Sequence, residues 1–296
     1  MTEPARVEGP WVRFWRDFSE SRLALVGLAL LALVVAIAIL APVISPQNPY
    51  DLAQLDVMDS KLAPGEASGT GKTYWLGTDD QGRDMLSGIF YGLRISLGVG
   101  VASTIFALAI GLVLGLVAAY FGGWVDTLVM RIVDIQLSFP AILIALVLLA
   151  VLGQGVDKIV VALVTVQWAY YARTVRSSAL VERQKEYIEA ARVLALGQAR
   201  VVFRHLLPNC LPPLIVVATV QVAHAIALEA TLSFLGLGLP ITEPSLGLLI
   251  SNGFQYLLSG KYWISFYPGI ALLVTIMAIN LVADQLRDVL NPRLRK

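Results

Sequence analysis

Six long apolar runs alternate with more polar segments along this chain. The runs cover residues 23–44, 95–121, 126–152, 158–180, 211–235 and 262–283. An α-helix rises about 1.5 Å per residue, so about 20 apolar residues cross the hydrocarbon core of a bilayer. The pattern therefore predicts an all-α polytopic membrane protein with six transmembrane helices. The first run, 23–44, is uncharged and longer than a signal-peptide core, so we interpret it as a retained span.

Four aromatic residues before the first run share one side of a predicted helix. Trp11, Phe14, Trp15 and Phe18 follow helical spacing. We therefore predict that residues 1–22 contain a short helix lying at the membrane interface. The alternative is an irregular tail in which the aromatic residues are incidental.

Glycine and proline predict where the helices meet, bend and end. Residues 45–93 are rich in Pro, Gly and acidic residues, which indicates a long extracytoplasmic loop. Gly111 and Gly115 form a GxxxG pair that permits another helix to approach closely. Pro140 predicts a kink in the third run. A second outer loop is predicted for residues 236–261, which are also rich in Gly and Pro.

The composition supports a membrane protein. Of all residues 57% are hydrophobic and only 15% are charged, whereas soluble domains carry about 25% charged residues. Of the 22 Lys and Arg residues, all but six fall on the side that carries both termini. The positive-inside rule makes that side cytoplasmic. No basic stripe stands apart from the membrane runs, which argues against nucleic-acid binding. The six Lys and Arg residues on the opposite, outer side are Lys61, Lys72, Arg83, Arg94, Lys158 and Lys261.

Residues able to hold metals or nucleotides are scarce. The single cysteine, Cys210, excludes an intramolecular disulfide, and with two histidines, His205 and His224, we predict no metal site. Residues 65–73 end in Gly-Lys-Thr, as a P-loop does. Glu66 stands where the P-loop requires its first glycine, so we interpret the stretch as a flexible loop rather than a nucleotide site.

A polar stretch, residues 185–213, separates two of the apolar runs. Ala, Glu, Leu, Arg and Gln dominate its first half, which predicts a short helix on the cytoplasmic side. Glu189-Ala190-Ala191, followed at the expected distance by Leu207-Pro208, resembles the EAA loop of bacterial ABC-importer permeases. The resemblance implies a coupling helix that contacts an ATPase through Glu189, Ala190, Ala191, Arg192, Gly197, Leu207 and Pro208.

Two positions of the loop depart from the family pattern, and His205 occupies the place of the family's Ile. Ala195 occupies the place of the family's glycine, and the nearest glycine is Gly197. We therefore expect the end of the helix to be extended or its turn to be shifted.

Three further stretches, 76–97, 120–140 and 228–240, resemble the C-type permease subunit of dipeptide and oligopeptide importers. The resemblance implies a type I importer transmembrane domain in the bacterial inner membrane. It also implies a homologous permease partner, two ATPases that use ATP and Mg, an extracytoplasmic binding protein and a peptide substrate. The chain itself is then no enzyme and holds no cofactor. The expected organisation is an interfacial helix (1–22), a first span (23–44), an outer loop (45–93), a five-span transmembrane domain (94–285) with coupling loop 181–207, and a cytoplasmic tail (286–296).

Two further groups of residues are candidates for function. An ionisable residue within a span normally faces the bundle interior or a water path, so Glu229 and His224 are candidates for either. Glu229 would otherwise make a packing hydrogen bond with Ser233, which we favour. In the outer loop, Thr78 or Asp79 could cap a helix, and Gly82 permits a turn. The charged cluster either holds the loop on the bundle or contacts a soluble partner through Asp79, Gly82, Arg83 and Asp84.

Two alternatives remain open. The same kind of importer could carry nickel, glutathione or another small solute. An ion-coupled secondary transporter that works alone is the other class, although the chain shows no internal repeat typical of such proteins.

Overall fold

The structure, a computed structural model, describes residues 9–69 and 71–290, and its regular elements there are helices. Only two isolated β-bridges, both in the outer loop, interrupt this pattern within the described ranges. Short 3₁₀ turns lie at Leu52–Gln54, Val57–Asp59 and Leu257–Ser259, and a π-helical turn at Val201–Leu206. The α-helices are α1 Pro10–Ser19, α2 Arg22–Ile44, α3 Met85–Phe121, α4 Gly123–Leu137, α5 Ala141–Leu152, α6 Val156–Glu182, α7 Glu186–Val193, α8 Gln198–Arg200, α9 Leu207–Phe234, α10 Leu246–Phe254 and α11 Trp263–Leu290.

Four continuous helices in the described part of the chain are long and apolar enough to cross a membrane. They are α2, α3, α11 and the helix formed by α8, the π-helical turn and α9. A fifth candidate is the pair α4 and α5, which bends by 88°. The remaining predicted span, 158–180, corresponds to α6, which carries more polar residues and is not among these candidates.

The predicted kink at Pro140 is a complete break between α4 and α5. Pro140 lies outside both helices, with an extended backbone directly before the first residue of α5. Proline disfavours the helical conformation in the residue before it and cannot donate a backbone hydrogen bond, which explains why α4 ends upstream of it.

Glycines let α3 and α6 pack backbone to backbone, as the GxxxG pair predicts. A Cβ atom added to Gly111 would contact the Cβ of Tyr171 and would lie 2.6 Å from the carbonyl oxygen of Trp168. A Cβ added to Gly115 would lie 2.6 Å from the carbonyl oxygen of Ala172. This seam fixes α6 in the interior of the bundle.

The bundle has two ends, which we call the α7 end and the α10 end. At the α7 end, Arg183 Nη1 donates to the carbonyl oxygen of Ala119, which joins the end of α6 to the end of α3. At the α10 end, Gln154 Nε2 donates to the carbonyl oxygen of Gly236, so the α5–α6 turn lies against the end of α9. Helix directions place the outer loop, residues 45–84, and the start of α11 at the α10 end.

The predicted aromatic face of the N-terminal helix divides in two. Phe18 is buried and packs with Phe14 against α2 and α11, whereas Trp11 and Trp15 are 83% and 55% exposed. The helix itself is confirmed for α1, while residues 1–8 of the predicted segment lie outside the described residues.

Three predicted boundaries differ from the structure. The outer loop ends at Asp84 rather than at residue 93, because Asp84 caps α3 by accepting a hydrogen bond from the backbone N–H of Ser87. Thr78 and Asp79, which the sequence offered as caps, do not start a helix. The predicted second outer loop contains α10, which is largely buried. Helix α11 continues to Leu290, beyond the expected end at residue 283, and residues 291–296 lie outside the described part.

Candidate functional site

The short helix α7 packs with one side against the α7 end of the bundle. Ile188 and Ala191 are buried in a cluster with Leu206 and Cys210, which connects α7 to the start of α9. Glu182, at the end of α6, accepts hydrogen bonds from the Tyr187 hydroxyl and from Lys185 Nζ, at 2.7 and 2.6 Å. These contacts hold α7 at a fixed place across the end of the bundle.

The opposite side of α7 is open. Glu189 and Ala190 are exposed, and Val193 and Leu194 continue the same surface, 85% and 73% exposed. Ala191 is only 4% exposed, which corrects its predicted place on the contact edge: with Ile188 three residues before it, Ala191 lies on the packed side. Of Arg192 the structure describes the helical backbone but not the side chain.

The turn after α7 is not displaced, so the expectation based on the missing glycine is wrong. Ala195 itself adopts the left-handed conformation, with φ +53°. The backbone N–H of Leu196 donates to the carbonyl oxygen of Ala191 at 3.2 Å, and that of Leu194 donates to Ala190 at 3.0 Å. This is the hydrogen-bond pattern of a helix end closed by a left-handed residue. Ala195 therefore closes the helix at the position where the family has its glycine.

Gly197 and the Leu207-Pro208 pair shape the backbone between α7 and α9. Gly197 has φ −56° and precedes α8, so its backbone needs no special freedom. The π-helical turn Val201–Leu206 follows, and the N–H of Leu207 donates to the carbonyl oxygen of Val202, five residues back. Pro208 would clash with the carbonyl of Arg204 in a regular α-helix, and the wider turn relieves this clash. Leu207 is half-buried and Pro208 is exposed.

Glu229 is enclosed within the bundle and bound by serines. Its carboxylate accepts hydrogen bonds from the hydroxyls of Ser233 on α9 and Ser96 on α3, at 2.8 and 2.9 Å. The residue is fully buried. The predicted bond with Ser233 is therefore confirmed, and a second bond to α3 is added.

His224 lies on a different side of α9, exposed on the wall of a cavity of about 330 Å³. Two buried amides, Gln167 and Gln221, also line this cavity and were not among the predicted site residues. Their one sequence signal is that each is a polar amide within an apolar run. Gln167 Nε2 donates to the carbonyl oxygen of Gln221, 3.3 Å away, which ties α6 to α9 beside His224.

The charged cluster of the outer loop faces inward. Asp79 and Arg83 form an ion pair of 2.8 Å with both side chains almost fully buried, and Arg83 Nη1 donates to the carbonyl oxygen of Ile241. Gly82 has φ +77°, and a Cβ there would strike the carbonyl oxygen of Asp56. Asp84 is buried at the start of α3. Of the two predicted roles, holding the loop on the bundle is the one these contacts perform; buried side chains offer no surface to a soluble partner.

Gln47, another residue that the sequence did not single out, ties the start of the outer loop to its end. Its side-chain oxygen accepts from the backbone N–H of Asp84 at 2.6 Å, and its amide nitrogen donates to Gln54. Across residues 9–69 and 71–290, no group of three or more His, Cys, Asp or Glu side chains is arranged to hold a metal ion.

The chain is similar to known membrane transport proteins. Residues 111–296 match the family described as the inner membrane component of binding-protein-dependent transport systems. Residues 9–64 match the N-terminal transmembrane domain of oligopeptide transport permease C. The dipeptide transport system permease protein DppC of Alkalihalophilus pseudofirmus is 36% identical over 97% of this chain and 91% of that protein. The glutathione transport system permease protein GsiD of Pectobacterium atrosepticum is 34% identical over 98% of this chain and 93% of that protein.

The fold has a counterpart among solved structures. A chain from inward-facing crystal structures of the MetNI methionine ABC transporter matches with a TM-score of 0.57 at 24% identity. The match covers 70% of this chain and 98% of that one. At this identity the match defines the fold, and the predicted likeness to an importer transmembrane domain is confirmed at that level.

Proposed function

We propose that this chain is the C-type permease subunit of an ATP-driven importer of di- or oligopeptides. The chain belongs to the family of inner membrane components of binding-protein-dependent transport systems. It is a multi-pass protein of the bacterial inner membrane. The likeness to a dipeptide permease over nearly the whole length supports the peptide substrate. The observation that carries the mechanism is α7, fixed to the bundle on one side and open on the other.

Six spans with both termini in the cytoplasm fit this role. Helix α6 joins the α5–α6 turn at the α10 end to α7 at the opposite end, and its 27 residues extend about 40 Å. A helix of that length and position crosses the bilayer, and its Arg173 and Arg176 are paired with Asp134 and Asp126 of α4. The predominance of Lys and Arg at the α7 end supports a cytoplasmic location for that end.

The open edge of α7 is the proposed contact with an ATPase subunit. Glu189 offers a charge for a directional hydrogen bond, and Ala190 lets the partner approach closely. Val193 adds an apolar contact that the sequence pattern did not suggest. Two ATPases bind and hydrolyse ATP with Mg, and a homologous permease completes the translocation path. An extracytoplasmic binding protein delivers the peptide at the α10 end.

Movement of α7 would reach the bundle through a short chain of contacts. Ile188 and Ala191 press on Leu206 and Cys210, at the π-helical turn and the start of α9. Helix α9 also carries His224 on the wall of the cavity that Gln167 and Gln221 line. We therefore assign His224, with Gln167 and Gln221, to the translocation path. Glu229 fastens α9 to α3 and lies outside that path.

Substitutions that change the charge of α7 test the proposal. In the purified complex reconstituted with its ATPases and binding protein, we expect Glu189→Lys or Ala190→Asp to uncouple ATP hydrolysis from peptide uptake while the subunit stays in the membrane. Glu20→Lys is the matched control, since Glu20 is an exposed carboxylate at the same end but outside α7. Normal coupling in both α7 variants would refute the assignment.

The substrate can be tested separately. The similarity to a glutathione permease keeps a glutathione importer as a second candidate, and the nickel alternative is distinguished in the same way. Uptake of labelled dipeptide, glutathione and nickel should be compared with the cognate binding protein present. Transport that proceeds without any ATPase would instead favour an ion-coupled secondary transporter and would contradict the proposed class.

A further inference from the structure

A cleft at the α10 end lies apart from the cavity of about 330 Å³ beside His224, which we call the His224 cavity. It has a volume of about 440 Å³ and opens between α3, the start of α6 and the outer loop. This volume falls within the range of roughly 300–1,000 Å³ that is usual for small-molecule sites. Ile95, Val99 and Val156 form an apolar wall, and the polar groups are Tyr50, Tyr91 and Arg94.

Arg94 is the only charged residue among the 37 residues of α3. It is exposed to the cleft, and it forms no hydrogen bond or ion pair with any residue of the described ranges 9–69 and 71–290. It lies roughly 13 Å along the helix from Met85. A cation within a spanning helix is costly and is normally found with an anionic partner. The geometry thus leaves the Arg94 guanidinium, with no bonded partner among the described residues, facing an open, partly apolar cleft.

A carboxylate lies at the edge of the same cleft. The Tyr50 hydroxyl donates to Glu243 Oε2 at 3.0 Å, and the Tyr50 ring packs edge-on against Tyr91 with 5.4 Å between ring centres. Burial, reinforced by Glu243, raises the pKa of Tyr50 above its ordinary value, so the phenol stays protonated and remains a donor. Glu243 is thereby held in place, half-buried, in the loop before α10.

We propose that this cleft binds the free carboxylate end of a peptide, with the Arg94 guanidinium as the carboxylate-binding group and Glu243 facing the peptide's amino end. The proposal rests on the proposed function, because it supplies that importer with a substrate subsite on the permease itself. A guanidinium binds a carboxylate through two parallel hydrogen bonds, which gives direction as well as affinity. The two tyrosine rings and the apolar wall accommodate the side chains between the charged ends.

A binding measurement without the binding protein tests this subsite directly. The assembled transporter complex is placed in nanodiscs, and binding of Ala-Ala and of Ala-Ala amide is followed by saturation-transfer NMR. We expect the amide to bind at least about tenfold more weakly than the free acid, since it lacks the charged partner of Arg94. Arg94→Gln should lower binding of the acid to the level of the amide, and Arg94→Lys should give an intermediate value.

Two further variants sharpen the test. Lys158→Gln removes another cation at the α10 end that does not line the cleft, and it should leave the preference for the acid intact. Glu243→Gln should weaken Ala-Ala binding, but it should leave binding of N-acetyl-Ala-Ala unchanged, because that ligand carries no ammonium group. Thermal unfolding and copurification of the complex establish that each variant is assembled before its binding is compared.

Several outcomes would overturn the proposal. Equal binding of acid and amide by the unmodified complex would do so, as would an Arg94→Gln complex that keeps the preference. If Arg94→Gln lowers binding of both ligands by the same factor, and this factor grows with the fraction of anionic lipid in the nanodisc, then Arg94 binds a lipid phosphate instead. ATP-driven uptake of Ala-Ala by the unmodified complex is measured in parallel. If uptake occurs and only the Arg94 dependence is missing, the subsite fails while the proposed function stands.

Discussion

Replacing Ala195 by glycine tests how the turn after α7 is built. At φ +53°, Ala195 lies in the left-handed region, where a residue with a Cβ is destabilised by about 1–2 kcal/mol and glycine is not. Glycine in turn loses more conformational freedom on folding, which costs about 0.5–1 kcal/mol. The difference predicts that Ala195→Gly stabilises the turn by up to about 1.5 kcal/mol, with a central value of about 1 kcal/mol. Ala195→Val should weaken it, because a β-branched residue tolerates this conformation least.

Hydrogen exchange of backbone amides measures this turn specifically. The N–H groups of Leu194 and Leu196 are protected by the carbonyl oxygens of Ala190 and Ala191. A stabilisation of about 1 kcal/mol corresponds to roughly fivefold slower exchange. We therefore expect both amides to exchange most slowly in Ala195→Gly, faster in the unmodified chain, and fastest in Ala195→Val.

Gly197→Ala is the matched control. Gly197 has φ −56°, and a Cβ added there meets no atom within 4 Å. The exchange of Leu194 and Leu196 should therefore hardly change. If Gly197→Ala accelerated this exchange as much as Ala195→Val, or if Ala195→Gly accelerated it, the left-handed residue would lie elsewhere and our account of the turn would be refuted.

Three other substitutions have expected outcomes. Gly111→Ala should lower the free energy of unfolding by about 1–3 kcal/mol, because the added methyl meets backbone atoms of α6. Gly269 has open space around it, so Gly269→Ala should not lower the free energy of unfolding. Equal melting temperatures of the two variants would contradict this prediction. Asp79→Asn should destabilise the protein by about 3–5 kcal/mol by leaving the buried Arg83 charge without its partner, and a melting temperature like that of the unmodified protein would argue against it. Glu229→Gln should retain uptake and substrate preference, since an amide can still bond both serines, while Glu229→Leu should lower stability by about 1–3 kcal/mol per unpaired hydroxyl. A changed peptide preference in Glu229→Gln would restore its place in the path.

The parts of the fold that depend on local sequence were predictable. Continuous apolar runs identified α2, α3, α9 and α11, because a helix needs about 20 mostly apolar residues to cross the hydrocarbon core. The GxxxG pair predicted a close helix contact, since the absence of Cβ atoms is a property of the sequence alone. The partner of that pair, α6, was not predictable, because it is chosen by the packing of residues more than fifty positions away.

The errors have physical causes of their own. Both the 88° break and the early start of α3 depend on residues at helix ends. Pro140 separates α4 from α5, and Asp84 caps the first backbone N–H groups of α3. Periodicity does not register either effect. Helix α10 escaped prediction because its glycines resemble those of a loop. In the structure, two of those glycines are close contacts: Gly247 lies against Ala230, and Gly253 lies against Ser265.

Glu229 and His224 show where sequence reasoning stops for the functional site. Both are ionisable residues of α9, five positions apart, and the cost of burying an ionisable group predicts function for each alike. What separates them is a neighbour on another helix: Ser96 of α3 meets Glu229, and together with Ser233 it satisfies both carboxylate oxygens. His224 instead faces an open cavity, which the amide of Gln167 also lines. An ionisable group whose bonds are all internal contributes packing, whereas one that faces open space is available to a substrate. This contrast supports the proposal that a peptide passes along the side of α9 that faces α6.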